Sequence, residues 1–593
     1  MHRIQQPPSQ VQLIGRVLTD ARRWDQSCST LLEVDWIDGR RHRGRTELVL
    51  RPCSTLPLQG WRVQVEGTLR RPPDGQHPLL PGAAQRLAVH GSWSRLTAPR
   101  LELLGQTWTP IADLRRRIQT RLQQVAGPER GGLLAALVLG SAQVQLPADL
   151  RQMFRVAGLS HALAASGFHL SVLTGAALAL SRRWPSAGRL GLALMAMLLF
   201  LLLAGGQPSV VRAVLMGAMA LLIRETGNRP RGFGLLLLAI SLMLLVHPAW
   251  ARSIGFQLSA AATAGLLITS PPLERWLMGW LPGRFKPLSA ALAVPMAAIV
   301  WTFPLQLLHF GSTPLYALIA NVLAAPLLAP LTLAALGLAL LSLFIPAGLL
   351  LPLSWPVSQL AGALIAMVHW ISHWPAARLL TGHPQPWVVA LLVLGLLPWL
   401  LPQPLPWRRL ALIPLSSAVL AQGVMQCRDQ LITVQRFQDH WLLARRRGRA
   451  ALISTSADAL ACRTARRLSE AHGHGRLDWV LLLDPVATDA TACWHGLARR
   501  VQAPQQGHPP LAFGQRLVSE GLELQLLADQ GQPMLLRVGS QRWWLLPRPQ
   551  ALWALQRSAP GQRNHDISGQ WLGFRPSSAQ RNWLQRNGGQ VGH

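Results

Sequence analysis

"FRVAGLSHALAASGFHLSVLTGAALALS", residues 154–181, is apolar enough to lie in lipid, yet it carries His161, Ser166 and His169. Read as one helix, residues 159–181 make a membrane span. On that helix His161 and His169 stand roughly 80° apart around the axis, and Ser166 and His169 roughly 60° apart. All three then share one face. Lipid contact would leave their polar atoms unpaired, so this face must meet other helices or a wet cavity. Gly158, Gly167 and Gly175 permit close helix approach. The alternative is that the two histidines bond to backbone and simply hold a bundle together.

Outward from this stretch, residues 132–425 are a succession of apolar runs: 159–181, 189–206, 208–223, 233–247, 255–270, 288–310, 315–345, 347–372, 386–401 and 410–425. Several fall short of the ~20 residues that cross hydrocarbon, so the expectation is a polytopic α-helical membrane bundle of roughly eight to ten spans. "ALVLGSAQ" (136–143) is too short to span and is expected inside the bundle. Polar groups recur. "GGQPSVVRAVLMG" sets Arg212 four residues after Pro208, where a helix begins and Ser209 can help cap it. "GFQLSAAATAGLL" holds Gln257, Ser259 and Thr263, and the next runs add Gln306, His309 and Asn321 among proline breaks. Broken helices with polar groups at membrane depth are how transport pathways are built. The loops 182–189, 224–232, 273–287 and 402–409 are basic and fall on one side by span counting. If that side is cytoplasmic, both chain ends lie outside. Nothing apolar precedes residue 11, so export of the N-terminus falls to the first span or to an upstream start.

Residues 1–105 read as five short strands ("VQLIGRVLTD", "TLLEVDWID", "RTELVLRP", "WRVQVEGTLRRP", "QRLAVHGSWSRL"), hence an OB-like β-barrel or a plain sandwich. Residues 106–131 contain an amphipathic basic helix, "IADLRRRIQTRLQQVAG", suited to a membrane surface or to packing on the barrel. Residues 426–593 mix strands with the helices "ALACRTARRLSEAHG" and "TACWHGLARRVQ", an α/β domain. Its end, from "QRNHDISGQ" on, reads as a loose basic tail. The five cysteines form no CxxC pair. Cys28 and Cys53 can pair if the barrel lies outside the cytoplasm, or they are two buried thiols.

The net charge is +32, almost all from arginine, and Lys286 is the single lysine. Such a surplus points to a polyanion, nucleic acid or anionic lipid. Basic and aromatic residues interleave in the barrel. Trp24, Trp36 and Trp61 are candidate base-stacking residues, with Arg40, Arg41, Arg43, Arg45 and Arg62 on phosphates. Trp61 alternatively fills the barrel core.

Four of these segments in order, "FRVAGLSHALAASGFHLSVL", "QPSVVRAVLM", "GFQLSAAATAGLL" and "NVLAAPLLAP", resemble the signatures of the ComEC competence proteins. The resemblance implies a multi-pass plasma (inner) membrane channel, its N- and C-terminal domains outside the cytoplasm. Its substrate would be single-stranded DNA taken into the cytoplasm during natural transformation. A periplasmic DNA-receptor protein and a cytoplasmic helicase-type motor are implied as partners, besides membrane lipid. No GxxxxGK[ST] phosphate loop occurs in this chain, so the motor is another protein. The pathway residues expected are His161, Ser166, His169, Arg212 and Gln257, with Ser259, His309 and Asn321 added from their polar setting. No cofactor, metal or catalytic residue is implied for the channel itself.

Many family members end in a metallo-β-lactamase-like domain with an HxHxDH ligand motif. Here Asp484, Val486, Thr488 and Asp489 occupy those positions, and "RFQDHW" and "STSA" replace its other turns. The domain is therefore expected to keep that fold without its catalysis, although Asp484 and Asp489 with His472, His474 or His495 would be the set from which a metal site is rebuilt. Two rival readings remain: an intramembrane hydrolase using Ser166 and His169, and an exporter or flippase of an anionic glycan or lipid.

Overall fold

The computed structural model describes residues 9–24, 26–75, 77–401, 405–436, 439–505, 508–529, 532–558, 567–574, 576–587 and 590–592. The barrel strands are β1 (Ser9–Val17), β2 (Arg22–Trp24), β3 (Ser27–Ile37), β4 (Arg40–Leu50), β5 (Trp61–Arg70), β6 (Ser94–Ala98) and β7 (Glu102–Gln106). In β3, alternate residues are buried, as expected when one face fills a core. β1 pairs with β3 and β5, β3 with β4, β4 with β6, and β6 with β5. These five strands therefore close a ring around Leu13, Leu32, Leu48, Val63 and Leu96. The run expected as the fifth strand, 85–96, divides instead. Its first part is helix α1 (Ala83–Ala88), and only its end enters β6. Cys28 and Cys53 are joined in a disulfide.

Helix α2 (Pro110–Ala126) neither lies on lipid nor packs on the barrel as its main contact. Ile118 and Leu122 are buried in the membrane bundle's largest core, so the apolar stripe read from sequence is satisfied by helices. α3 (Pro128–Leu139) is buried from Gly131 to Leu139, which accounts for the short apolar run expected inside the bundle. Then come α4 (Ala148–Val156), α5 (Ser160–Leu163), α6 (Gly167–Leu180), α7 (Ser186–Ala204), α8 (Pro208–Glu225), α9 (Gly232–Val246), α10 (Ile254–Ile268), α11 (Ser270–Trp280) and α12 (Leu288–Phe310). A two-strand ribbon of β8 (Ser312–Pro314) and β9 (Arg378–Leu380) brackets α13 (Ala317–Phe344) and α14 (Ala347–Ser372). α15 (Pro386–Leu400), α16 (Leu405–Leu410) and α17 (Leu412–Cys427) close the bundle. Among the described residues five helical stretches are long and apolar enough to cross a membrane: 186–204, 288–310, 317–344, 347–372 and 406–427. α6, α9, α10 and α15 are shorter apolar helices. The chain is thus a membrane protein.

The expected single span 159–181 is corrected. α5 is four residues long, Ala164 is extended with ψ 138°, and Ser166 is the extended residue just before α6. Gly140, at φ 83°, makes room for this link, since a Cβ there would meet Ala165 Cβ at 2.9 Å.

The C-terminal part is four-layered. One sheet runs β10 (Gln430–Arg436), β11 (Asp439–Arg446), β12 (Arg449–Ser454), β13 (Leu477–Leu482), β14 (Ala498–Gln502). The other runs β15 (Arg516–Ser519), β16 (Leu522–Leu526), β17 (Met534–Val538), β18 (Gln541–Leu546), β19 (Gly569–Leu572), β20 (Gln590–Gly592). Leu442, Ile453 and Leu481 of the first meet Leu524, Leu536 and Leu545 of the second. α18 (Ala459–Ala471) and α19 (Thr491–Leu497) cover the first sheet's outer face. α20 (Pro549–Ser558) and α21 (Ser578–Asn587) follow β18 and β19, and Ala551, Leu552 and Leu584 join a core with Trp544 and Leu546. The stretch read as helix over 491–502 is helix only to Leu497, and its second half is strand β14. The expected loose tail supplies β19, α21 and β20. A second disulfide, Cys462–Cys493, ties α18 to α19.

Both soluble domains sit at one end of the bundle and touch. The His77 and His472 rings are 5.3 Å apart, and Leu80 of the barrel domain packs on the C-terminal core.

Candidate functional site

A polar network crosses the bundle at the end that carries these domains. It begins at the break before α6. With no side-chain cap for α6, the Ser166 hydroxyl lies 3.0 Å from His169 Nδ1. His169 is 2% exposed, and its Nε2 has no partner among the described residues. Ser209, in the first turn of α8, donates to the Ala165 carbonyl at 3.2 Å, which fastens the break to α8. α8 begins at Pro208, as read, but its N-cap is Gln207. Arg212, one turn in, donates from Nε to Ser259 Oγ of α10 at 2.9 Å. Gln257, on the same end of α10, donates to the Ala251 carbonyl at 2.9 Å and accepts at Oε1 from His309 Nε2 of α12 at 2.7 Å. His383, after β9, lies with Nδ1 3.0 Å from the Leu308 carbonyl.

Six expected positions thus form three pairs: Ser166 with His169 at the start of α6, and two that join helices, Arg212 with Ser259 and Gln257 with His309. All lie near the domain-bearing end rather than at mid-depth, because each occupies the first turns after, or last turns before, that end of its helix. Asn321 is not joined to them. Its amide donates to Ala317 of its own helix at 2.7 Å. His161 is exposed and lies within electrostatic reach of His169. The shared helical face computed for a continuous span does not exist, since the chain is extended between the two histidines. They are brought together by the fold of the break.

Sequence reading missed two supports. Gln143 and Arg115 hydrogen-bond at 3.1 Å, and together they reach the Ala204 and Leu202 carbonyls left open at the C-terminus of α7. His383 was also missed. The surrounding "TGHPQPW" marks a turn but no role.

In the barrel, Arg40, Arg41, Arg43 and Arg45 are exposed along β4, and Trp36, 39% exposed, faces Arg41 across the β3–β4 pair. Arg62 is exposed, whereas Trp61 is half-buried against the barrel core, the alternative allowed for it. The side chain of Trp24 lies outside the described residues.

In the C-terminal domain, Asp484 faces Arg548 at 3.8 Å. His472 and His474 precede β13 while Asp484 and Asp489 follow it, so a strand's length separates the two sets. Arg445 donates to His474 Nε2 at 3.1 Å and sits 3.4 Å from His472 Nδ1. Among the described residues no group of three or more His, Cys, Asp or Glu is placed to hold a metal. Burial, then the Arg445 charge, pushes His472 down to about 3 and His474 down to about 4.

Comparison with known proteins bears on the membrane part. The chain is 25% identical over 279 residues to ComE operon protein 3 of Bacillus subtilis (strain 168), covering 45% of this chain and 34% of that protein. It is 26% identical over 247 residues to uncharacterized protein YcaI of Escherichia coli (strain K12), covering 38% of this chain and 32% of that one. The aligned stretch is about a third of the length of these curated relatives. The profile of the Competence protein family matches residues 137–405, from α3 to α16, the region that holds the whole polar network. Over this region the chain is similar to the competence protein family, in keeping with its resemblance to ComEC.

Proposed function

We propose that this protein is a plasma-membrane conduit that passes one strand of DNA into the cytoplasm during natural transformation. The observation that carries the reading is the polar network of the local Ser166–His169 contact and the bonds Ser209–Ala165, Arg212–Ser259 and Gln257–His309 between elements, set at the end of a bundle similar to the competence family where two basic soluble domains meet. A guanidinium and imidazoles held there offer donors to a phosphodiester and keep the helix ends together.

The ring order of the barrel supports the OB-like reading, and its arginine-rich β3–β4 edge with Trp36 suits an unpaired strand. Helices outside two face-to-face sheets support a metallo-β-lactamase-like C-terminal domain, which acts as a docking surface and not as a nuclease. Two disulfides, one in each soluble domain, support placing both outside the cytoplasm. The basic loops after α6, α8, α11 and α15 lie at the opposite end and support the same orientation. A periplasmic DNA receptor and a cytoplasmic helicase-type motor complete the proposal.

The Ser166–His169 contact favours a hydrolase as the second reading. In that chemistry the base's other nitrogen is oriented by a carboxylate, and no partner for His169 Nε2 is found among the described residues. The test is complementation of a transformable strain lacking its own competence channel. The chain restores DNase-protected uptake of labelled DNA. The Gln257→Ala/His309→Ala variant restores far less, and Ser166→Ala restores a reduced but measurable amount. No restoration by the unaltered chain sinks the conduit, and complete loss from Ser166→Ala alone favours the hydrolase.

A further inference from the structure

Just outside the polar network, five arginines from three parts of the fold converge. Arg22 comes from β2 of the barrel domain, and its Nη2 donates to the Ala142 carbonyl of the bundle at 2.8 Å. Arg151 and Arg155 stand one turn apart on α4, about 6 Å along its axis. Arg155 lies over the Phe310 ring, 5.7 Å from its centre, next to the His309 that bonds Gln257. Arg378 belongs to β9 and Arg467 to α18. Arg22 is within electrostatic reach of Arg151, and Arg155 is within reach of Arg151, Arg378 and Arg467.

The carboxylate that acts on Arg155 is Glu470, and Arg378 already holds it at 2.8 Å. Arg22, Arg151, Arg155 and Arg467 are exposed, and none has an ion-pair partner among the described residues. Packing like charges side by side at a three-domain joint is unfavourable unless an anion relieves it. Each lies within electrostatic reach of the next, from the barrel across α4 to the C-terminal domain, which suits an extended polyanion better than a single headgroup. α4 then leads through Gly158 to the exposed His161.

Resting on the conduit reading, we propose that Arg22, Arg151, Arg155 and Arg467 form a cradle for the phosphodiester backbone of a single strand and direct it towards the end of the bundle that holds the polar network. The barrel, α4 and the C-terminal domain each supply part of it, so the site exists only when all three are assembled.

The test uses the full chain in nanodiscs of neutral phosphatidylcholine and a 5′-labelled oligo(dT), with anisotropy followed from low to high salt. Arg151→Gln/Arg155→Gln should bind at least tenfold more weakly. Its log K against log salt slope should shrink by about 1.4, at about 0.7 per phosphate contact on a single strand. Arg151→Lys/Arg155→Lys should keep the slope, and so should Arg500→Gln on exposed β14. If the double glutamine variant loses its fold, Arg22→Gln/Arg467→Gln, from the two soluble domains, is measured in its place with the same expectation. Failure of the unaltered chain to bind oligo(dT) even at low salt overturns the conduit reading itself. Binding by the unaltered chain with an unchanged slope in the glutamine variants overturns the cradle alone. A loss seen only as reduced association with phosphatidylglycerol, oligo(dT) binding being intact, reassigns the arginines to lipid and also overturns it.

Discussion

Ser259→Ala probes the central bond of the network. Arg212 is 9% exposed, and its Nε donates to Ser259 Oγ at 2.9 Å. A hydrogen bond to a charged group is worth about 1.5–3 kcal/mol in soluble proteins. Between membrane helices, measured couplings average only about 0.6 and reach about 1.7 kcal/mol. A guanidinium held between helix ends belongs at the upper end of the membrane range, so a coupling of about 1.5 kcal/mol is expected. Arg212→Met alone is a poor probe, because trading a buried charge for an apolar side chain of similar length is often neutral. The informative quantity is the difference between Ser259→Ala in the native background and in Arg212→Met, where the serine has nothing left to accept from. Thr263, which donates to the Ser259 carbonyl at 2.9 Å, is undisturbed by either change. Equilibrium unfolding of the full chain in mixed micelles supplies the free energies. A coupling under about 0.3 kcal/mol would mean that the pair holds nothing together. In uptake the order should reverse: Arg212→Met should fall furthest, because it removes the charge, and Ser259→Ala should fall less.

Gly158→Ala should cost about 1–3 kcal/mol, since Gly158 holds φ +80° and a new Cβ would lie 2.6 Å from Ala317 Cβ; an unchanged thermal midpoint would refute that. Cys28→Ser and Cys462→Ser should each cost about 3.5 kcal/mol on loop-entropy grounds, the bridges spanning 25 and 31 residues, and thiol labelling of the unreduced protein should find only Cys427. The His472–His474 joint should weaken in acid. Their folded pKa values lie below the usual 6.5, so the unfolded chain takes up protons first; their contribution is complete above about pH 6.5 and is lost as the pH falls towards about 4 and 3. A thermal midpoint that is flat across this window would contradict the assignment, and Arg445→Gln should lessen the loss by removing one charge that opposes protonation.

Much of the fold was legible because lipid imposes long apolar runs and a barrel imposes alternation. The breaks were less so. Nothing local in "ALAASG" forbids a helix, and alanine favours one. The chain is extended at Ala164 and Ser166 because Gly140 has no side chain to exclude Ala165 and because Ser209 binds the Ala165 carbonyl, both facts of tertiary structure. The same holds for β19 and β20, short parallel strands that are extended because β19 pairs with β18 and β20 with β19. The Cys462–Cys493 pair joins two helices 31 residues apart, a pairing that spacing alone does not encode. The candidate residues stood out in the sequence as polar groups among apolar ones, but their depth did not, because a sequence shows position along a helix only once the helix ends are known.

That depth changes the physics of passage. Polar groups at mid-bilayer would have to meet a strand already stripped of water. Here they stand at the end of the bundle that faces two wet domains, so under the proposed function phosphates would exchange water for donors one at a time. Arg212 is arranged for such exchange. Its Nε is held by Ser259 and one Nη faces the Met216 sulfur at 3.6 Å, while the other Nη has no partner among the described residues. The guanidinium is therefore fixed in place by one donor and retains others, and a planar fork binds a phosphate best when it is already oriented. Each bond of the network also ties a different pair of elements: the break to α8, α8 to α10, α10 to α12. A phosphate that borrows one donor loosens one joint and leaves the other two closed. On the proposed conduit reading, a strand would enter without the helix ends coming apart, which is what a conduit needs if it is not to leak between substrates.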